Sequence, residues 1–315
     1  MYKILIADKI TDRAIEEVRK KKEFSVTVSY GLMTDELKNV IGEFHGVIVR
    51  SATKITADII DAAPALKVIG RAGTGLDNID VNHAESKGIA VFNTAGSNAQ
   101  AVAELTIAFF FVLARKLSSG FTSMKQHQWD KSQLIGMELA GKVAGLIGFG
   151  QIGQKVGKIA SALGMRVLIF KSSPVTRSPG YEFELVDLST LLAKSDFVSL
   201  HIPKTEQTHN LMTRETFKQM KKSAFLINCA RGGIINEIDL LNALNENIIA
   251  GAALDVFEHE PPENFSLLDH PNVIATPHIG ASTRESQERV GQDIVRSVMN
   301  FLETKYVFIS GNEND

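Results

Sequence analysis

Only one cysteine, Cys229, occurs in the 315 residues, which excludes an internal disulfide framework and fits a reducing compartment. Excess charge is equally absent. The 34 basic and 36 acidic side chains leave a formal net charge of −2, so the basic footprint needed for nucleic acid or an acidic membrane surface is missing. No hydrophobic run is long enough to span a bilayer. The most apolar stretch, AVAELTIAFFFVLA at 101–114, contains Glu104 and falls short of the required length, about 20 residues. It reads instead as a helix buried between domains or subunits. The N-terminal MYKILIADKI is short, carries charges and leads straight into an amphipathic segment, so no signal peptide is expected. The 8 histidines show neither H-x-x-x-H spacing nor cysteine partners, and no metal is expected. These absences leave a soluble, cytoplasmic chain whose length predicts two domains.

Short apolar runs alternate with helical patterns along most of the chain. YKILIA, FSVTV, GVIV, LKVIG and IAVF have strand length and β-branched content. Between them, TDRAIEEVRKK, TDELKNVI and TADIIDAA each open with a Thr suited to cap a helix. A second series follows the apolar helix and the polar stretch SSGFTSMKQHQWDKSQ, with strands in KVAGLIGF, MRVLIF, FVSLHI, AFLINCA, IIAGAALDV and NVIAT. Strand–helix alternation of this kind predicts α/β architecture, two parallel sheets each covered on both faces.

Gly148, Gly150 and Gly153, in GLIGFGQIG, follow a predicted strand and open a predicted helix. That context is what a pyrophosphate cradle requires: a tight turn, close backbone approach, and a helix N-terminus that favours anions. About 20 residues further on, such units place an acid that holds the adenosine ribose. Here RVLIFKSSP puts Lys171 at that position, with Ser172, Ser173 and Arg177 behind it. Lys171 cannot accept bonds from ribose hydroxyls, and its charge suits a 2′-phosphate, so NADP(H) is slightly favoured within an NAD(P) reading. A solvated Lys at a strand end is the alternative.

Ligands of doubly wound sheets bind beyond the carboxyl ends of strands. Three consecutive predicted strands end there in Arg231 (NCARGG), in Asp255 followed by Glu260 (ALDVFEHEPP), and in His278 (TPHIGAS). Imidazole titrates near neutral pH and suits a general base, and an Arg can grip a carboxylate through two parallel N–H bonds. Singly, each also has an ordinary reading as a core histidine, an ion-pair partner or a solvated loop acid. His259 is a weaker rival base. No acyl-transfer constellation surrounds Cys229, which reads as a small buried thiol.

The motifs GLIGFGQIG, LHIPKTEQTHNLM, INCARGGIINE, ALDVFEHEPP and TPHIGAST together resemble the D-isomer-specific 2-hydroxyacid dehydrogenase family over nearly the whole chain. RSATKIT, RAGTGLDNIDV and WDKSQLIGMELAGK are further similar to its 3-phosphoglycerate dehydrogenase branch. The resemblance implies a Rossmann-type cofactor domain at 99–283 inserted in a flavodoxin-like substrate domain at 1–98 plus 284–315. It implies a catalytic set of Arg231, Glu260 and His278, with Glu260 pairing with His278 and stabilising its imidazolium form. Asp255 would contact the nicotinamide carboxamide. The cofactor would further meet Gln151, Ile152, His201, Ile202, Pro203, Thr208, Cys229, Ala230 and Gly280. Arg50, Ser51, Arg71 and Lys131 would hold a substrate phosphate, and the backbone of Gly73, Thr74 and Gly75 its carboxylate. Arg50 and Arg71 could instead pair with local acids such as Asp77 or Asp80.

The expected activity is hydride transfer between a nicotinamide cofactor and a D-2-hydroxy acid, with 3-phosphoglycerate leading. Glyoxylate, hydroxypyruvate or another 2-keto acid is the alternative. The chain stops where many phosphoglycerate dehydrogenases continue into a serine-binding domain, so feedback of that kind is not expected. A homodimer formed through the apolar helix is expected. A corepressor-like dinucleotide sensor is the non-enzymatic rival. Formate dehydrogenase shares the architecture but resembles a Gln–His pairing, against which Glu260 speaks.

Overall fold

The computed structural model describes residues 1–172 and 180–307. The chain divides into two compact units, Met1–Asn98 with Ser282–Asp315, and Ala99–Ala281. The second unit ends at Ala281, and Thr283 stands just before the final helix and caps it: its Oγ1 accepts the Ser286 N–H at 3.1 Å.

In the first unit, β1 (Tyr2–Ile6), β2 (Phe24–Val28), β3 (Gly46–Val49), β4 (Val68–Arg71) and β5 (Ala90–Asn93) form one parallel sheet. Their order, β2-β1-β3-β4-β5, is that of flavodoxin-like folds. Helices α1 (Asp12–Arg19), α2 (Thr34–Ile41), α3 (Ala57–Asp61) and α4 (Val81–Ser86) connect them. Successive side chains leave opposite faces of a strand, and here both faces are buried. Ile4, Ile6, Ile48 and Val68 join the core shared with α1 and the C-terminal helix. Leu5, Val47, Val49 and Ile69 join the one completed by Leu37, Ile41, Ile59 and Ile60. This is why the strands read as continuous apolar runs.

The second unit begins with α5 (Ala99–Ala114) and α6 (Leu117–Lys125), then β6 (Val143–Ile147), α7 (Gln151–Ala162), β7 (Arg166–Phe170) and β8 (Glu184–Leu185). It continues through α8 (Leu188–Lys194), β9 (Phe197–Leu200), α9 (Arg214–Phe217), β10 (Phe225–Asn228), α10 (Glu237–Asn245), β11 (Gly251–Leu254) and β12 (Val273–Ala275). The sheet order, β12-β11-β10-β9-β6-β7-β8, reverses at β6, and every pair is parallel. Counted from β6, this is the doubly wound 3-2-1-4-5-6 order with one strand added. The final helix, α11 (Arg284–Val307), returns to the first unit. No helix among the described residues is long and apolar enough to cross a membrane.

Local chemistry differs from expectation in three places. Thr11 and Thr56 occupy N-cap positions without a capping hydrogen bond, and α2 starts at Thr34 itself. Thr11 Oγ1 is turned to α11 instead, where a Cβ added to Gly291 would lie 3.2 Å from it. Side-chain caps fall at Asp80, Asp187 and Asn236. The polar stretch after α5 is partly helical, as α6 and a 3₁₀ turn at Lys131–Leu134.

His201, just past β9, donates its N–H to Ile147 O at 2.7 Å, and its ring Nε2 is buried without a partner among the described residues. Burial pushes the imidazole down to about 3, so it stays neutral in the folded state. An unfolded His, at about 6.5, takes up a proton that the folded one refuses. Stability from this site is therefore unaffected above that value and is lost as pH falls from it toward the folded value. Urea unfolding at about pH 7 and about pH 4.5 is expected to show a smaller acid penalty for His201→Gln than for the parent chain; equal penalties exclude this origin. A Cβ on Gly70 of β4 would lie 2.7 Å from Val298 Cγ2 and 2.9 Å from Ile294 Cγ1 of α11. Gly70→Val should thus overpack the seam and cost about 1–3 kcal/mol by the same method, and no loss would place α11 differently.

Candidate active site

The cradle forms where β6 gives way to α7. Gly148 has φ +99°, a left-handed conformation that strains any side chain, and a Cβ there would lie 2.4 Å from His201 O. Its N–H donates to Phe170 O at 2.9 Å, which sets Lys171 directly beyond the neighbouring strand. Gly150 caps α7, and a Cβ on it would meet nothing within 4 Å. Open space thus lies over the helix N-terminus, where Gln151 and Ile152 begin a 12-residue helix with no acid in its first turn. These features suit a pyrophosphate. Ser172 is exposed, whereas Ser173 and Arg177 lie outside the described residues. Past His201 and Ile202, Thr208 Oγ1 donates to Pro203 O at 2.6 Å and closes the loop that follows β9.

At the other side of the sheet, β10, β11 and β12 are neighbours in register, Asn228 beside Leu254 and Leu254 beside Ala275. Their ends bring the expected residues to one edge. His278 Nδ1 lies 2.7 Å from Glu260 Oε2, while Glu260 Oε1 accepts the Phe257 N–H at 3.1 Å. A carboxylate only accepts, so Nδ1 carries the proton and Nε2 faces away from the pair. His278 has φ +50° and donates its N–H to Asp255 O at 2.9 Å. Asp255 is 1% exposed. Its Oδ1 accepts from Thr276 Oγ1 and from the Ile279 N–H at 2.8 Å, and its Oδ2 from the Gly280 N–H at 2.7 Å. The acid expected to meet the nicotinamide thus commits both oxygens to the loop that presents His278.

Arg231 Nη1 donates to Ala230 O at 2.7 Å, and Arg231 O accepts from Asn228 Nδ2 at 2.9 Å. A Cβ on Gly232 would fall 1.7 Å from Phe257 O, so the turn after Arg231 abuts the loop bearing Glu260. Thr276, Gly232 and the Phe257 N–H thus join the site; their signal in the sequence was membership of TPHIGAST, INCARGGIINE and ALDVFEHEPP, with no role attached to the residues themselves. A cavity of about 430 Å³ lies here, lined by Phe257, Glu260, Pro261, Thr276, Pro277 and His278 among others. His259 is exposed. Cys229 is buried, and burial pushes its thiol up to about 12, which keeps it protonated and unreactive.

In the first unit, β3 and β4 are neighbours; Arg71 is the last residue of β4 and Arg50 the first past β3. Arg50 Nη1 donates to Lys9 O at 3.2 Å. The Arg71 guanidinium lies over Gly73, where a Cβ would be 2.0 Å from Nη1, and Gly73 has φ +153°. The Gly73 N–H donates to Arg71 O at 2.9 Å. This differs from the expectation that it faces a substrate carboxylate, for which the N–H groups of Thr74 and Gly75 are left. Thr74 Oγ1 donates to Asn98 Oδ1 at 2.9 Å. Ser51 is exposed beside Arg50, and Lys131 is exposed in its 3₁₀ turn in the second unit.

Residues 107–280 match the family described as D-isomer specific 2-hydroxyacid dehydrogenase, NAD binding domain. A hydroxypyruvate reductase of Thermotoga maritima is 46% identical over 309 residues, covering 96% of this chain and 98% of that protein. A D-3-phosphoglycerate dehydrogenase of Methanocaldococcus jannaschii is 43% identical over 305 residues, and there the chain spans only 58% of its relative. Among solved structures, a D-lactate dehydrogenase of Aquifex aeolicus complexed with NAD and lactic acid superposes with TM-score 0.85 at 28% identity, over 98% of both chains. With two doubly wound sheets, a glycine cradle and a His–Glu pair at the strand ends, the chain belongs to the D-isomer specific 2-hydroxyacid dehydrogenase family.

Proposed function

We propose that the protein interconverts a D-2-hydroxy acid and its 2-keto acid, with 3-phosphoglycerate and 3-phosphohydroxypyruvate as the substrate pair. The observation that carries the chemistry is the His278–Glu260 contact of 2.7 Å beside Arg231 on the neighbouring strand ends. When bound, the nicotinamide supplies or accepts the hydride. In reduction His278 holds a proton on Nε2 and delivers it to the substrate carbonyl oxygen, and in oxidation it takes that proton back. Glu260 holds Nδ1–H and stabilises the imidazolium as it forms. The Arg231 guanidinium grips the substrate carboxylate as a fork and polarises the carbonyl. Asp255 keeps the His278 loop in place.

Lys171 beyond β7 supports NADP(H) over NAD(H). Arg50 and Arg71 at adjacent strand ends support a second anionic group on the substrate, hence the phosphate ester. The relative from Thermotoga maritima, matched along nearly its whole length, favours a second reading in which hydroxypyruvate itself is reduced. Exposed Phe111, Phe121, Met124, Trp129 and Ile135 on and after α5 and α6 support a homodimer.

Initial rates with 3-phosphohydroxypyruvate, hydroxypyruvate and glyoxylate, each with NADPH and NADH, test the reading. The phosphate ester with NADPH should give the highest kcat/KM, and Lys171→Asp should reverse the cofactor ratio. Preference for hydroxypyruvate would move the substrate to the second reading, and no turnover of any keto acid would remove the activity. His278→Ala should lower kcat about 10²–10⁴-fold with cofactor binding intact by fluorescence titration. Arg231→Lys should lose about 10²–10³-fold despite its retained charge, because the fork is lost; a mild effect argues against clamping.

A further inference from the structure

The loop after β3 is held from two sides by groups that the proposed chemistry does not use. Asp8, at the end of β1, is 6% exposed. Its Oδ2 accepts the N–H groups of Arg50 at 2.6 Å and Thr53 at 3.1 Å, and its Oδ1 accepts from Thr53 Oγ1 at 2.8 Å. Asn78, in the segment between β4 and α4, donates from the single atom Nδ2 to Arg50 O at 2.7 Å and Thr53 O at 2.6 Å. One side chain therefore takes the donors at both ends of the Arg50–Thr53 segment and the other takes the acceptors. Ser51 and Ala52 between them stay exposed.

We propose that Asp8 and Asn78 are positioning residues that fix the Arg50–Thr53 loop and, through Arg50, set the affinity for the anionic end of the substrate. This rests on Arg50 being a substrate anchor. The backbone sheet does not need the clamp, because the β1–β3 ladder already ends with the Ala7 N–H donating to Ile48 O at 2.9 Å. A buried carboxylate is costly unless its acceptors are matched by donors, and here three donors converge on it. The Arg50 guanidinium is tied to the same place, since Nη1 donates to the carbonyl of Lys9, next to Asp8. Backbone and side chain of Arg50 are thus referenced to one turn, and an anion meets a guanidinium already in position.

Two substitutions separate this role from a merely structural one. Asn78→Asp keeps the shape but sets a carboxylate against two carbonyl oxygens. Asp8→Asn keeps an oxygen for both N–H groups and lets its NH2 donate to Thr53 Oγ1. Steady-state kinetics with 3-phosphohydroxypyruvate are measured for these variants, Asp8→Ala, Arg50→Ala and the double variant Arg50→Ala/Asn78→Asp, with cofactor Kd read by fluorescence. Asn78→Asp and Asp8→Ala should raise KM for the keto acid about 10- to 100-fold while kcat and cofactor Kd stay within about twofold. Asp8→Asn should restore most of the affinity, and the double variant should bind no worse than Arg50→Ala alone. A raised KM for Arg50→Ala with an unchanged KM for Asn78→Asp overturns the clamp and leaves the anchor standing. An unchanged KM for Arg50→Ala overturns the anchor and the clamp with it. Additive losses in the double variant, or a fall in kcat with a weaker cofactor Kd, also overturn the clamp. Should Asp8→Ala fail to fold, Asn78→Asp alone decides.

Discussion

The Asp255 carboxylate accepts hydrogen bonds from Thr276 Oγ1 and from the N–H groups of Ile279 and Gly280, and so closes the loop on which His278 stands. The imidazole can meet Glu260 only because that loop folds back on a fixed point and holds His278 at φ +50°. Glu260 is in turn held by the Phe257 N–H, and the same short segment leaves room for Gly232 alone beside Arg231. Arg231, Glu260 and His278, the three residues of the proposed chemistry, are therefore spaced by backbone contacts. Buried hydrogen bonds to an ionised group are among the stronger polar interactions, which suits a site whose geometry must not drift.

A comparable device recurs in the first unit. There a buried Asp at the end of β1 organises the loop bearing Arg50, as Asp255 past β11 organises the loop bearing His278. In both, the parallel sheet stops supplying partners at the strand end, where backbone N–H groups would otherwise go unmatched. A carboxylate placed just past the strand gathers them. Loops become as definite as strands there, and side chains on them can be aimed.

Strands were legible in the sequence because burial on both faces makes them continuous apolar runs, and the cradle because Gly148 needs a conformation that other residues resist. The strand orders came from the family resemblance and not from the strands themselves, since order depends on which helix crosses which edge. The Thr caps misled for a related reason: Thr11 leaves its own helix uncapped and packs its hydroxyl beside Gly291 of α11, a placement made by tertiary packing. The two-residue strand β8 and the short α4 carry too few residues for a period to show. At the site, Arg231, Glu260 and His278 stood out as residue types at strand ends. What Asp255, Asp8 and Asn78 bond to did not, because a carboxylate or amide in sequence carries no record of the backbone groups that will surround it.

The return of α11 to β4 bears on how the chain is made. Ile4, Ile6, Ile48 and Val68 share their core with Val290, Ile294, Val295 and Val298, residues that leave the ribosome after all of the second unit. The first sheet therefore waits with one apolar face covered only in part, by α1, while a complete domain is synthesised behind it. The second unit, continuous in sequence, can close its own cores first. A nascent chain of this design exposes a sticky surface for most of its translation, and a chaperone that shields apolar sheet faces would find its longest-lived target at the N-terminus.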